Sequence, residues 1–274
     1  MHGLVFALVF SLTLLCAVGV ARADWFSEAA LDGVYDNNLS RAVDKSDRKG
    51  DFAFAPRISL GQYDQLTDTL GFSLITDIGS GIYTRYDGLD YVNAGLTASL
   101  KYKYGLGAYA PWLKGYGTVK YFSYNESMRD GALFSAGVLA GKKIRERMDL
   151  QIGYEHENLD ARNALFDRKS HAATIKAGFL LTESAQLTLG YAVKRGDVAV
   201  YAPADEDTVF SADTFHTPME IYRVRATTRT ISVGLNKTLD SRWWACFSAD
   251  FSSVRGGGKS YPDTLLKASV RYSY

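Results

Sequence analysis

"VNAGLTASLKYKY", Val92 to Tyr104, alternates without a break. Val92, Ala94, Leu96, Ala98, Leu100, Tyr102 and Tyr104 fall on one side. Asn93, Gly95, Thr97, Ser99, Lys101 and Lys103 fall on the other. Period two is a strand signal, because successive side chains leave opposite faces. The pattern recurs. Leu150, Ile152 and Tyr154 oppose Gln151, Gly153 and Glu155; Trp243, Ala245, Phe247, Ala249 and Phe251 oppose Ser248, Asp250 and Ser252. The chain ends the same way, in "LKASVRYSY", Leu266 to Tyr274. Repeated segments of about ten residues with one apolar face are the signature of a membrane barrel.

Twelve alternating segments are legible along the chain: 28–40, 51–63, 70–86, 91–104, 113–124, 132–143, 149–158, 172–182, 186–200, 221–236, 243–253 and 264–274. The expected fold is all-β, an antiparallel transmembrane up-and-down barrel of twelve strands. The odd connections include the two longest, 159–171 and 201–220, whereas the even ones are mostly short, with 105–112 the exception. Outer-membrane barrels carry short periplasmic turns and longer external loops, so the odd connections are expected outside. Trp25, Trp112, Trp243 and Trp244 then fall at periplasmic ends and form an expected aromatic girdle. Tyr83, Tyr86, Tyr91, Tyr121, Tyr124 and Tyr222 fall near external ends. The last strand must pair with the first, since an open edge in lipid leaves backbone groups unsatisfied. Tyr272 and the terminal Tyr274 resemble the assembly signal read by the outer-membrane insertion machinery, with Tyr where Phe or Trp is usual.

The N-terminus reads as a signal peptide. Leu4 to Val20 is almost wholly apolar, and Ala21-Arg22-Ala23 is a small-x-small cleavage site. The expected division is residues 1–23 as cleaved signal and 24–274 as barrel. No later segment has the ~20 unbroken apolar residues of a membrane helix. With Arg22 removed, 30 Lys+Arg balance 30 Asp+Glu, which gives no reason to expect nucleic-acid binding. Cys246 alone remains after cleavage, excluding an intramolecular disulfide or a cysteine metal site in the mature chain.

"YDNNLSRAVDKSDRKGDFAFAPRISL", Tyr35 to Leu60, resembles the opening hairpin of bacterial outer-membrane β-barrels of the porin type. Those often begin Tyr-Asp-x-Asn, an apolar residue, then Arg, followed by an Asp and a proline-containing second strand, as Asp51 and Pro56 are here. The resemblance implies an outer-membrane barrel and brings no substrate or catalytic residue. Some such barrels accompany exopolysaccharide export.

No catalytic set emerges, and no cofactor or metal is expected. Lipolytic barrels place His and Ser two apart on one strand so that base reaches nucleophile. The residues two beyond His156, His171 and His216 are Asn158, Ala173 and Pro218. Ser170-His171 is adjacent and reads as loop. His156 faces away from its neighbours Glu155 and Glu157, as a rim histidine would. Asp205, Glu206, Asp207, Asp213 and Glu220 make the longest external loop acidic, without the spacing of a calcium loop. "RGGGK", Arg255 to Lys259, reads as a flexible connection rather than a phosphate loop.

If the apolar faces meet lipid, the opposite faces line a lumen. That assigns it Arg57, Arg85, Lys101, Lys103, Lys114, Lys120, Lys143, Lys176, Lys194, Lys267 and Arg271, against Asp32, Asp36, Asp77, Glu155, Glu157 and Asp250. These charges suit either a salt-bridged plug or a water-filled channel favouring anions. Gly61, Gly71, Gly79, Gly81, Gly95, Gly153, Gly178 and Gly190 are read as open space. On strand ten, Ile231, Val233 and Leu235 share parity with Arg223, Arg225 and Arg229. A bulge near Thr228 to Thr230 is the expected explanation; contact with lipopolysaccharide phosphates is the other. The expected function is a porin-like outer-membrane channel for small or oligomeric anionic solutes. The alternatives are an accessory or structural barrel of an exopolysaccharide system and a lipid- or polysaccharide-modifying enzyme. Outer-membrane lipids, lipopolysaccharide and the assembly machinery are the expected partners.

Overall fold

The computed structural model describes residues 24–203, 214–215 and 219–274. The expected signal peptide and the acidic run Asp205 to Asp213 lie outside the described residues. Twelve strands form one closed antiparallel sheet: β1 (Asp24–Asp36), β2 (Asp51–Gln65), β3 (Leu70–Tyr83), β4 (Tyr91–Lys103), β5 (Trp112–Tyr124), β6 (Gly131–Arg145), β7 (Met148–Ala161), β8 (Arg168–Thr182), β9 (Ala185–Pro203), β10 (Met219–Thr238), β11 (Trp243–Gly256) and β12 (Lys259–Ser273). Each strand pairs with its sequence neighbours, and β1 closes on β12 from Glu28↔Ser273 to Asp36↔Leu265. Closure satisfies both edges, so no unpaired ladder faces lipid. Every strand exceeds the 9–11 residues that a tilted strand needs to span a bilayer.

The inner face is identified by contacts across the barrel. Val43, from the β1–β2 connection, packs against Val198, Ala226, Val254 and Tyr261 of β9 to β12. Following the register pairs from these residues round the sheet carries one face through Asp32, Arg57, Asp77, Lys120, Glu157 and Ser170. The opposite face carries Ile58, Ile78, Leu100, Val119, Phe134, Ile152, Ile175, Leu189, Ile231, Phe251 and Val270, all exposed. Large exposed aliphatic and aromatic side chains on every side of a barrel are the outer wall of a membrane protein.

Several expectations change. β1 begins four residues earlier than the alternation suggested and also ends four earlier, at Asp36, because Asn37 to Ser40 leaves the wall and folds inward. β10 pairs continuously from Met219 to Thr238, so the bulge near Thr228 to Thr230 is absent and Arg223, Arg225 and Arg229 stay on the outer face. Register shifts occur at Lys143/Arg145 and Leu180/Thr182 instead, at strand ends. The connection read as 254–263 is a two-residue turn at Gly257 and Gly258, with φ of 57° and 75°. Both central residues in the left-handed region define a type I′ hairpin, so this segment is tight. His171, read as loop, lies in β8.

The glycines do not mark open space. A Cβ on Gly61 would strike the Phe26 ring, one on Gly81 the Tyr91 ring, and one on Gly95 the Lys120 side chain. Long or aromatic side chains lie flat over these positions from the neighbouring strand, so glycine makes room for bulk.

Tyr274 donates its backbone N–H to Ser27 O at 3.1 Å and packs its ring edge-on to Tyr272, while its side chain is 78% exposed. One such bond contributes about 1 kcal/mol. Deleting Tyr274 is therefore expected to leave refolding in detergent near wild type, read as heat-modifiable mobility, while lowering the amount assembled in cells. Equal losses in both would make Tyr274 structural; no loss in cells would remove the assembly-signal role.

Candidate functional site

The end of the barrel bearing the odd connections (37–50, 84–90, 125–130, 162–167, 204–218, 257–258) is built from a repeated device. Each of the second, third and fourth connections contains a short 3-10 turn, Asp87–Leu89, Ser127–Arg129 and Ala164–Phe166, followed by an aspartate. Asp90, Asp130 and Asp167 each accept the N–H of the last residue of the preceding strand: Tyr83, Tyr124 and Ala161, at 2.7, 2.7 and 2.8 Å. The loops are also laced together. Asn125 N–H donates to Asp90 O at 2.8 Å, and Arg162 N–H donates to Asp130 O at 2.6 Å. Asp51 holds the second connection by accepting from Arg85 N–H at 2.9 Å and Tyr86 N–H at 3.2 Å.

The repeat places Leu89, Arg129 and Phe166 at the same loop position. They meet over the barrel mouth. Leu89, Phe166, Tyr201, Phe215 and Met219 form a buried apolar cluster, with Leu39, Tyr86 and Met128 packed on it. The Arg129 guanidinium lies 4.6 Å from the Phe166 ring centroid and 5.6 Å from that of Tyr201, and pairs with Glu126 at 2.9 Å. The β9–β10 hairpin divides the mouth: Ala199, Tyr201 and Ile221 face this cluster, while Val198, Val200 and Val224 face the one holding Val43. Apolar side chains from five connections thus cap one end.

The first connection is the deepest part of the cap, and it carries the motif residues. Asn38 and Ser40 are fully buried. The Asn38 side chain accepts from Ala42 N–H at 3.0 Å and donates to Ala42 O at 3.0 Å. The Ser40 hydroxyl donates to Asp47 O at 3.0 Å and accepts from Lys49 N–H at 3.1 Å. Asn37 ties the segment to β12 by accepting from Thr264 N–H at 2.8 Å. Arg41 has φ of 53°, which costs a non-glycine residue about 1–2 kcal/mol. Its side chain lines a cavity of about 130 Å³ with Glu157, Arg168, Ser170 and Lys194.

Below the cap, charges on the inner wall are mostly paired. Lys120 meets Asp77 at 2.7 Å, Lys267 meets Asp32 at 2.6 Å, and Lys194 pairs with Glu157. Glu28 lies between Arg57 at 3.5 Å and Arg271 at 3.9 Å. Tyr116 donates to Glu155, and Gln186 donates to Asp149 at 3.0 Å. Glu28 and Asp149 were missed in the sequence because each is the first residue of the alternating segment as read, 28–40 and 149–158, where no preceding residue confirms its face; in the structure β1 already runs from Asp24 and β7 from Met148. Lys176 and Asp250 share this face by register, opposite Gly190 and Ser232. Arg85 does not: it lies beyond β3, in the second connection, and is exposed.

Near the other end, three lysines stand together. Lys101 and Lys114 are directly opposed in the β4–β5 register, and Lys103 follows on the same face. Lys101 Nζ sits 4.7 Å from the Trp112 ring centroid. Among the described residues no carboxylate lies within 4.0 Å of any of the three. Trp112 and Trp244 are on the inner face here, so of the four tryptophans Trp25 and Trp243 point outward. At the capped end Tyr83, Tyr91 and Tyr124 likewise turn inward, and the ring centroids of Tyr91 and Tyr124 are 5.3 Å apart. Ser170 and His171 occupy opposite faces: the Ser170 hydroxyl donates inward to Glu157 at 3.0 Å, while the His171 ring meets Tyr154 outside. A nucleophile–base pair there is ruled out by the pleat.

Comparison with solved structures gives the fold a precedent. An outer membrane channel from Pseudomonas putida superposes with a TM-score of 0.62 at 13% identity, covering 93% of this chain and 97% of that one. The chain has the fold of an outer-membrane channel. The NanC porin (TM-score 0.49, 10% identity, 89% and 98% covered) and the KdgM porin (0.47, 11%, 90% and 99%) are more distant. No family model and no curated protein matches the chain. At these identities the likeness is one of fold.

Proposed function

We propose that this chain is an outer-membrane channel for small anionic solutes, closed at one end by its own loops. The observation that carries the reading is the group Lys101, Lys103 and Lys114. Like charges directly opposed on a sheet are destabilising, and an unpaired ammonium away from water is costly. Three such lysines on an inner wall are tolerated when water reaches them. A hydrated basic patch inside a low-dielectric wall raises the local concentration of anions. The paired charges higher up set a polar path that favours no sign strongly. The loop cap is the resting closure, and solute passage requires its displacement.

The capped mouth and the paired interior favour a second reading, an accessory barrel that conducts nothing. Proteoliposome swelling separates the two. With purified barrel, a small sugar acid should enter faster than the neutral sugar of the same size. Equal rates would remove the anion preference, and no swelling with either would favour the accessory barrel.

A further inference from the structure

The outer wall changes character on one side of the barrel. Ile152, Ile175, Tyr191, Ile231 and Phe251 are register neighbours across β7 to β11 and form an apolar row. Four residues nearer the capped end, the equivalent row reads His156, His171, Arg195, Thr227 and Arg255. Arg229 lies one step below Thr227 on the same face and Arg225 one step above. Arg195, Arg225, Arg229 and Arg255 are exposed, and among the described residues no carboxylate lies within 4.0 Å of them. Arg223 is different: it donates to Ala164 O at 2.9 Å and faces Asp167, tethering the fourth connection. The acids on this part of the wall are Asp160 at the end of β7 and Asp197 opposite Arg225, the latter accepting from Lys169 N–H at 3.2 Å.

The basic face is one-sided. On β2, β3, β4 and β6 the outer wall stays apolar towards the capped end, through Phe54, Ile82, Val92 and Phe134. Lys169 on β8 extends the basic face by one strand, and charges needed only for solubility would not be gathered on β8 to β11. Their position selects the ligand class. They stand on a wall whose neighbour is lipid, where the apolar band gives way, so the groups that reach them are lipid headgroups. A guanidinium matches phosphate oxygens through two parallel hydrogen bonds. With strands about 4.8 Å apart and ~3.4 Å per residue, Arg195, Arg229 and Arg255 form a triangle with edges of roughly 8–10 Å. That spacing suits two phosphates on one sugar headgroup better than a single small anion.

We propose that the outer face of β9 to β11 binds the phosphorylated headgroup of an outer-leaflet glycolipid, held by Arg195, Arg229 and Arg255. The proposal takes the outer-membrane placement from the reading above but is independent of conduction. The test uses full-length barrel in mixed micelles titrated with bisphosphorylated lipid A, its dephosphorylated form, or inorganic phosphate. The bisphosphorylated lipid should bind, the dephosphorylated form at least tenfold more weakly, and millimolar phosphate should not displace it. Replacing Arg195, Arg229 and Arg255 together by Gln should weaken binding at least tenfold with heat-modifiable mobility unchanged. If the triple variant fails to fold, Arg195→Gln and Arg255→Gln singly should each weaken binding severalfold. Binding within twofold of wild type in the folded variants would overturn the proposal. So would equal binding of the dephosphorylated lipid, displacement by free phosphate, or loss of lipid binding through self-association at this face.

Discussion

Asn38→Ala is expected to raise the open probability of the channel more than tenfold. Asn38 is fully buried, and its amide satisfies both the N–H and the carbonyl of Ala42. Each buried polar group left without a partner costs about 1–3 kcal/mol. The barrel wall does not use these bonds, so the cost falls on the inward position of the first connection. Arg41 compounds it, because its left-handed backbone is tolerated only while the surrounding contacts hold. A bias of 1.4 kcal/mol is tenfold in a two-state equilibrium, so the inward loop should lose its dominance. Asn37→Ala, which frees Thr264 N–H at the other anchor, should act in the same direction and less strongly. Planar-bilayer recordings of the variants check this. Open probability within twofold of wild type for both would show that this connection does not hold the closure.

Replacing Lys101, Lys103 and Lys114 together by Glu should reverse the ionic preference. A unit charge about 8 Å from a permeating ion in water contributes about 0.5 kcal/mol. Each replacement changes the local charge by two units. Salt screens part of this over ~10 Å at 0.1 M, which leaves a change in the anion-to-cation ratio on the order of tenfold or more. Lys120 is unsuitable for this set because its ammonium is held by Asp77 at 2.7 Å. Folding should be little affected, since the outer wall is untouched. A folded triple variant with wild-type selectivity would place the ion path away from these lysines.

Strand positions were legible because lipid imposes alternation on the whole wall. Val92 to Tyr104 announces β4 to within a residue of its final bounds. The misreadings share a physical origin: period two reports faces, and it says nothing about what folds across them. Asn37 to Ser40 continues an alternating pattern, yet turns inward because Asn38 and Ser40 find backbone partners there. Trp112, read as part of an aromatic girdle, lies on the inner face by register, since an aromatic residue at a strand end suits the interface or the interior equally. The glycines were read as voids because a single strand does not reveal the ring lying over it from its neighbour, as Tyr91 lies over Gly81. The cap was least visible, though it left a trace. Asp90, Asp130 and Asp167 each stand next to a descending strand, six or seven residues after the ascending strand ends. That recurrence could have identified the shared loop device.

The proposed function makes the interior a conducting path biased towards anions. The reversal potential of purified wild-type barrel in a planar bilayer, across a dilute KCl gradient, tests it most directly. Discrete openings are expected, with a reversal potential that lies on the chloride side of zero and moves towards zero as salt is raised on both sides. A reversal potential on the potassium side, or a folded barrel that never conducts even as Asn38→Ala, would contradict it.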